Sequence, residues 1–281
     1  MARVAVVTDS TAYLPSDVIE KYGVRVVPLQ VRLADRSFLE GVDLSPAEFA
    51  QWISRPGHRA LTSQPTPAAF AEAYDAAGTD AIVSIHLAGA LSGTVQAARV
   101  AASAARDRGL DVRVVDSANV AMAMGFGVIA AAETAAADAS LDDVVQAAEV
   151  AEARTRMFFY VETLDYLRRG GRIGAAASLV GTALAVKPLL HLRGGEITLL
   201  EKVRTAARAI ARLEELAVQA AGDGPVDIAV HHLAAAERAG ALRDRLRAAI
   251  PGVQSLYVDE VGAVVGAHVG PGMLGVAVHR R

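Results

Sequence analysis

Apolar positions fall along this chain in two rhythms. Short runs at Val4–Thr8, Ala81–His86 and Val112–Val115 have the length of strands and alternate with longer segments of helical spacing. Asp17–Tyr22, Pro46–Ser54, Pro67–Ala77 and Thr94–Arg106 are the predicted intervening helices, several opening on proline or Ser/Thr, which helix starts favour. Strands alternating with helices predict a parallel sheet. Two further helices, Ala121–Ala137 and Leu141–Arg154, follow the third strand and close a first domain at residue 156.

From Met157 the rhythm changes. Strands are expected at Phe158–Val161, Leu189–Leu192, Ile197–Glu201, Val226–His231, Val253–Val258 and Met273–Val278, with helices at Thr205–Ala221 and Ala234–Ala249. Arg193-Gly194-Gly195-Glu196 has the composition of a hairpin turn, so this half contains antiparallel pairs. The expected fold class is α/β, with an N-terminal parallel-sheet domain over 1–156 and a C-terminal α+β domain over 157–281. The polar run Arg168-Arg169-Gly170-Gly171-Arg172 is the expected mobile connection.

Composition narrows the function classes. With 281 residues, 53% of them hydrophobic, the chain holds enough apolar material for two modest domains. A formal net charge of -3 gives no global field to hold nucleic acid, which is not an expected partner. The absence of cysteine excludes disulfides, thiolate nucleophiles and cysteine-ligated metals, and fits a cytoplasmic protein. The apolar start Val4–Val7 is too short for a signal peptide. Val120–Ala132 and Ile173–Val186 fall short of the roughly 20 residues that cross a bilayer, so both are expected as buried helices and no stable membrane insertion is expected.

Ligands of open α/β sheets bind beyond the carboxyl ends of the strands, and here those loops are rich in hydroxyls. Asp9-Ser10-Thr11, Thr62-Ser63-Gln64-Pro65-Thr66-Pro67 and Gly89-Ala90-Leu91-Ser92-Gly93-Thr94 each precede an expected helix, whose unpaired N–H groups favour an anion. Any one of these residues also serves as an ordinary N-cap; their clustering at one sheet edge is what points to a ligand. Other motifs fail. Ser92 stands one place too late for a G-x-S-x-G nucleophile elbow, and Gly270-Pro271-Gly272-Met273-Leu274-Gly275 has too little chain after it for a dinucleotide unit. No phosphate-binding G-x-x-x-x-G-K-[ST] loop is present, and no histidine stands in a metal-ligand spacing, so neither a catalytic nor a metal site is expected. His231 and His232 are adjacent on a strand and point to opposite faces, which gives them a structural or surface role. His268, in the glycine-rich stretch Gly266–Gly272, is expected on a loop with its ring free to face a ligand.

Taken in order, Val7-Thr8-Asp9-Ser10-Thr11, Thr62-Ser63-Gln64-Pro65, Leu91-Ser92-Gly93-Thr94, Val115-Asp116-Ser117, Leu167–Ile173, Lys187-Pro188 with Glu196 and Lys202, and Gly266–Gly275 resemble the DegV family, which includes the fatty-acid-binding subunits of bacterial fatty acid kinase. The resemblance covers nearly the whole chain. It implies a parallel-sheet domain, a second α/β domain and a lipid tunnel with its mouth between them, holding a long-chain fatty acid such as palmitate. On matching positions, Thr62 and Ser92 resemble the hydroxyl donors to the lipid carboxylate and His268 a second contact, with Ser63, Gly93, Thr94 and Arg172 near the head group. It further implies no cofactor and no catalysis by this chain alone: a separate ATP-binding kinase subunit phosphorylates the lipid. Lys202, Arg204 and Arg172 are cations that could guide an acidic partner.

The chemistry agrees. A buried carboxylate needs hydrogen bonds, and hydroxyls supply donors without permanent charge. Burying a tail of about fourteen methylenes, at roughly 0.8 kcal/mol each, offers about 11 kcal/mol before ordering costs. The alternative is a phosphotransferase or sugar-handling enzyme of related sheet topology, with a polar ligand in the Ser/Thr pocket and His268 or His86 in catalysis.

Overall fold

The computed structural model describes residues 4–174 and 186–281. The elements run β1 (Ala5–Asp9), α1 (Ser16–Tyr22), β2 (Arg25–Val27), β3 (Gln30–Leu33), β4 (Arg36–Leu39), α2 (Pro46–Ile53), β5 (Ala60–Ser63), α3 (Pro67–Asp75), β6 (Ala81–His86), α4 (Thr94–Arg106), β7 (Asp111–Asp116), α5 (Met122–Ala136) and α6 (Leu141–Ala153). They continue with β8 (Thr155–Tyr160), α7 (Asp165–Arg169), β9 (Lys187–Arg193), β10 (Glu196–Val203), α8 (Ala206–Ala221), β11 (Val226–His232), α9 (Ala236–Ala249), β12 (Val253–Glu260), α10 (Ala263–Val269) and β13 (Leu274–Arg280). Two compact units result, one of the described residues through Gln30 with Ser63–Ala153, the other of Val31–Thr62 with the described residues of Arg154–Arg281.

The first unit is built on a parallel sheet of order β2-β1-β6-β7. Its strands β1 and β6 are apolar runs buried along nearly their whole length, as parallel strands covered on both faces must be. Helices α3 and α4 lay Phe70, Tyr74, Ala98 and Ala101 on Val7 and Ile82. The capped starts are as expected: Ser45 and Glu48 form a capping box before Pro46, and Thr66 caps the helix opened by Pro67.

The second unit carries a mixed sheet of order β10-β9-β8-β13-β11-β12, antiparallel except for the parallel β11–β12 pair. All seven residues of β11 are buried, which marks it as a central strand. The β9–β10 hairpin turns through Gly194 and Gly195, both at positive φ, as a two-residue turn requires. Helix α8 closes one face with Ala209, Leu213, Leu216 and Ala217, a stripe at helical spacing.

The segment 31–62, expected within the first domain, instead groups with residues 154–281. Its strands β3, β4 and β5 form a separate small sheet, and α2 packs on α10, where a Cβ on Gly266 would come 2.5 Å from the Phe49 ring. The expected mobile run 168–172 contains the end of α7, and the Gly170, Gly171 and Arg172 amides all donate back into that helix. Most of the apolar stretch Ile173–Val186 lies outside the described residues. Among the described residues no helix is long and apolar enough to cross a membrane.

Helix α5 packs along α6, and at their contact Gly127 leaves room for Glu152, whose Cγ would lie 3.0 Å from an added Cβ. Glu152 Oε1 has no hydrogen-bond partner among the described residues. Burial, then the charges of Asp116 and Glu149, push this carboxyl up from 4.5 to about 8. A raised folded value means that its contribution to stability is present at low pH and is lost as pH rises through 4.5 to 8. Glu152→Gln is therefore expected to unfold at a higher temperature than the parent at pH 8, by about 1 to 3 kcal/mol of stability, with the difference vanishing near pH 4.5. Melting curves across that range, showing no growth of the difference with pH, would refute it.

Candidate functional site

Two sets of hydroxyl donors stand out, one in each unit. In the second unit, β5 alternates its exposure so that Leu61 and Ser63 face outward while Thr62 is half-buried. Thr62 is thus a strand residue, not the loop or cap residue expected; the cap of the next helix is Thr66. Its Oγ1 lies 2.9 Å from His268 Nε2.

His268 was expected on a loop, and it sits in the last turn of α10. The Gly-Ala-His-Val-Gly stretch is helical because its apolar residues Val264 and Val269 are buried, and Gly270, at φ +74°, ends the helix where only glycine fits easily. The helix start is held by a buried bond from the Val264 amide to Glu40 Oε1, 2.8 Å. Helices α7 and α10 meet through one glycine each: the His268 ring rests on the Cα of Gly170, and the Tyr166 ring on the Cα of Gly270. Arg172 donates to the Gly170 carbonyl at 2.6 Å. Beyond α10, Glu162 accepts from Lys187 at 2.8 Å and from Arg238 at 3.0 Å, and it packs against Gly272.

This setting fixes the chemistry of the imidazole. Burial, helped by the nearby charge of Arg172, pushes His268 down from 6.5 to about 4, so it is neutral at physiological pH. Nδ1 has no hydrogen-bond partner among the described residues. With the proton on Nε2, the ring donates to Thr62 Oγ1 and leaves the hydroxyl proton of Thr62 to donate elsewhere.

In the first unit the set is carried by the turn after β6. Leu91 and Ser92 amides both return to the Ala88 carbonyl, at 2.9 and 3.2 Å, and present Ser92 half-buried. Ser92 Oγ lies 2.8 Å from Thr94 Oγ1 and accepts the Thr94 amide at 3.3 Å, a local turn in place of a true side-chain cap on α4. Gly93 stands against the Gln64 carboxamide, which would collide with any Cβ there. Ser63 is the exposed last residue of β5.

The chain thus brings Thr62, His268 and Arg172 together in one unit and Ser92, Gly93 and Thr94 in the other. The sequence gives no sign of these roles for Gly170 and Gln64: nothing in their spacing ties them to His268 or Gly93, which they meet only in the fold. His86, the other histidine weighed for catalysis, is fully buried and bonded on both ring nitrogens. Among the described residues no three His, Asp or Glu side chains gather as a metal site.

A parallel-sheet unit and a mixed-sheet unit, furnished with hydroxyls, amides, one arginine and a neutral imidazole, define a two-unit α/β protein suited to holding a small anionic group. The chain belongs to the DegV family: the family model described as uncharacterised protein, DegV family, matches residues 3–281. A DegV domain-containing protein of Streptomyces coelicolor is 57% identical over 282 residues, covering 99% of each chain. Among solved structures, a fatty-acid-binding DegV family protein from Thermus thermophilus superposes with a TM-score of 0.92 at 34% identity, over 99% of this chain and 100% of that one. DegV of Bacillus subtilis, described as a fatty acid binding protein, gives 0.90 at 33% identity over 100% of both.

Proposed function

We propose that this protein binds one long-chain fatty acid, such as palmitate, and presents its carboxylate for phosphorylation by a separate ATP-binding kinase subunit. The observation that carries the reading is the pairing of Thr62 with a neutral, buried His268, an arrangement that offers a hydroxyl proton to an anion without a competing counter-charge. The fatty-acid-binding relatives from Thermus thermophilus and Bacillus subtilis support the choice of ligand. In this reading Thr62, Ser92 and His268 contact the carboxylate, Ser63, Gly93, Thr94 and Arg172 lie near the head group, and the first domain holds the tail in a tunnel. The protein acts in the cytoplasm as a carrier, with no cofactor and no metal of its own. Docking of an acidic kinase surface is supported by an open cleft in the second unit where Arg212 is neutralised by Glu201 and Glu215, while Lys202, Arg204 and Arg208 are exposed cations.

Mass spectrometry of denatured protein is expected to release a C14–C18 fatty acid, and lipid-stripped protein to rebind palmitate. Thr62→Val combined with Ser92→Ala is expected to weaken that binding by about 1 to 3 kcal/mol with folding retained, because a buried carboxylate loses two donors. No released lipid and no rebinding would overturn the reading; unchanged affinity with a collapsed melting temperature would reduce both residues to structural parts. Phosphoryl transfer from ATP by the isolated chain would overturn the carrier role, and a kinase-dependent acyl phosphate, weakened by salt and by Lys202→Ala or Arg204→Ala, supports it.

A further inference from the structure

Asp9 and Asp116 end the neighbouring region of the parallel sheet, and neither has a part in the reading above. Asp9 is fully buried, with every lone-pair direction engaged. Its Oδ1 accepts from the Thr11 amide at 3.0 Å and the Thr11 hydroxyl at 2.5 Å, and its Oδ2 from His86 Nδ1 at 3.0 Å and the Leu87 amide at 3.1 Å. Behind it runs a buried chain: His86 Nε2 to Ser84 Oγ at 2.6 Å, and Ser84 Oγ to the Tyr74 hydroxyl at 2.9 Å. With His86 donating from Nδ1 to the carboxylate, Nε2 accepts from Ser84 and Ser84 from Tyr74, so each proton in the chain has one direction. The edge of the Phe70 ring system lies across His86, centroids 4.8 Å apart, and fixes its plane.

The next amides are held in series. Ala88 donates to the Asn119 carbonyl at 2.8 Å, and Gly89 to Asp116 Oδ1 at 3.1 Å, while Asp116 also accepts from Ala118 at 3.0 Å. Gly89 has no room for a side chain, since a Cβ would stand 2.6 Å from Asp116 Oδ2. Three consecutive amides, 87 to 89, are therefore tied down directly beneath the turn that carries Ser92.

We infer that Asp9, through its bond to His86, and Asp116 are positioning residues for Ser92: they hold the 87–92 turn so that the Ser92 hydroxyl meets the ligand carboxylate. The inference rests on the fatty-acid reading given above. Two carboxylates under an anion-binding turn look misplaced by charge alone, because each repels the ligand. Saturation by amide and hydroxyl donors spreads their charge, and what they supply in return is a rigid backbone.

That opposition makes the sign of the effect diagnostic. Asp9→Asn and Asp116→Ala each remove a negative charge, so simple electrostatics calls for tighter binding of an anion; the positioning role calls for weaker binding, because an amide at position 9 cannot accept on both oxygens as the carboxylate does, and alanine at position 116 releases the Gly89 and Ala118 amides, which share Asp116 Oδ1. The measurement is the affinity of the full chain, stripped of lipid, for palmitate and for methyl palmitate, whose uncharged ester is a weaker acceptor and depends less on the Ser92 donor. The parent is expected to prefer the acid, and Ser92→Ala to lose most of that preference. Asp9→Asn, Asp116→Ala and His86→Gln are each expected to lower palmitate affinity about tenfold while methyl palmitate moves less than about twofold. Adding Asp116→Ala to Ser92→Ala is expected to cost nothing further. If Asp9→Asn does not fold, Asp116→Ala, on an exposed side chain, carries the test.

Palmitate affinity unchanged or raised in Asp116→Ala, with Ser92→Ala still impaired, overturns the inference and leaves the fatty-acid reading intact. Equal losses for acid and ester mean a general structural role and also overturn it. A parent that binds neither ligand removes the fatty-acid reading itself, and this inference with it.

Discussion

Gly170→Ala is expected to weaken fatty-acid binding about 10- to 100-fold, the equivalent of an overpacked core contact together with a lost hydrogen bond. The effect is steric. Gly170 ends α7 at φ −75° and ψ −8°, a conformation that alanine adopts freely, so the backbone opposes nothing. What the methyl group meets is His268 Nδ1, well inside van der Waals contact. The ring has no slack on that side and must turn or shift, and either movement breaks its 2.9 Å bond to Thr62. Gly171→Ala is the matched control. That residue stands at φ +70° with nothing within 4 Å of an added Cβ, so it is expected to lose about 1 kcal/mol of stability from backbone strain while lipid affinity stays within about threefold. Isothermal titration of stripped protein with palmitate, beside urea unfolding, separates the two. If Gly170→Ala binds lipid as the parent does, the α7–α10 contact has no bearing on the head group.

Elements with a strong local signal were legible: Thr94–Arg106 is a helix over the expected span, and the Gly194-Gly195 turn sits where the hairpin was expected. Short elements stabilised by distant partners were not. Strands β2 to β5 have three or four residues each, too few for a strong local signal, and they exist because they pair with one another or with β1. Helix α10 has the composition of a glycine-rich loop, yet its burial against α2 and α7 overrides the low helix propensity of glycine. For that reason His268 was legible as a candidate but not its neutral state, which depends on burial and on Arg172, 96 residues earlier in the chain but close in the fold. The Asp9-Ser10-Thr11 and Val115-Asp116-Ser117 segments were visible as motifs; that their carboxylates turn inward onto the 87–89 amides was not, because only the register of β1, β6 and β7 brings them there.

Stability is expected to fall by a few kcal/mol as pH drops from about 6.5 to about 4, with the most strongly shifted histidines, His231 and His268, contributing most and His191 and His232 acting in the same sense. His231, wholly buried in the central strand β11, is pushed down to about 4 by burial, with the neighbouring His232 adding to the effect against an opposing backbone bond at Asp259. His268 is pushed to about 4 by burial and by Arg172. For a base whose folded value is depressed, the unfolded chain takes up protons first. The stabilising contribution is therefore complete above the unfolded value of 6.5 and drains away until the folded state also protonates near 4. Glu152 acts in the opposite sense over 4.5 to 8, so the parent's profile is shallower than the histidines alone dictate, and the Glu152→Gln background exposes them. In that background, urea unfolding at intervals between pH 7 and 4 is expected to show a downward slope that His268→Gln reduces by about half. Loss of the whole slope would assign it to His268 alone, and an unchanged slope would mean that its ring protonates as readily in the folded protein as in the unfolded chain. The second result would also remove the neutral imidazole from the head-group contact, since a charged ring donates from both nitrogens and holds a carboxylate by ion pairing rather than through the Thr62 hydroxyl.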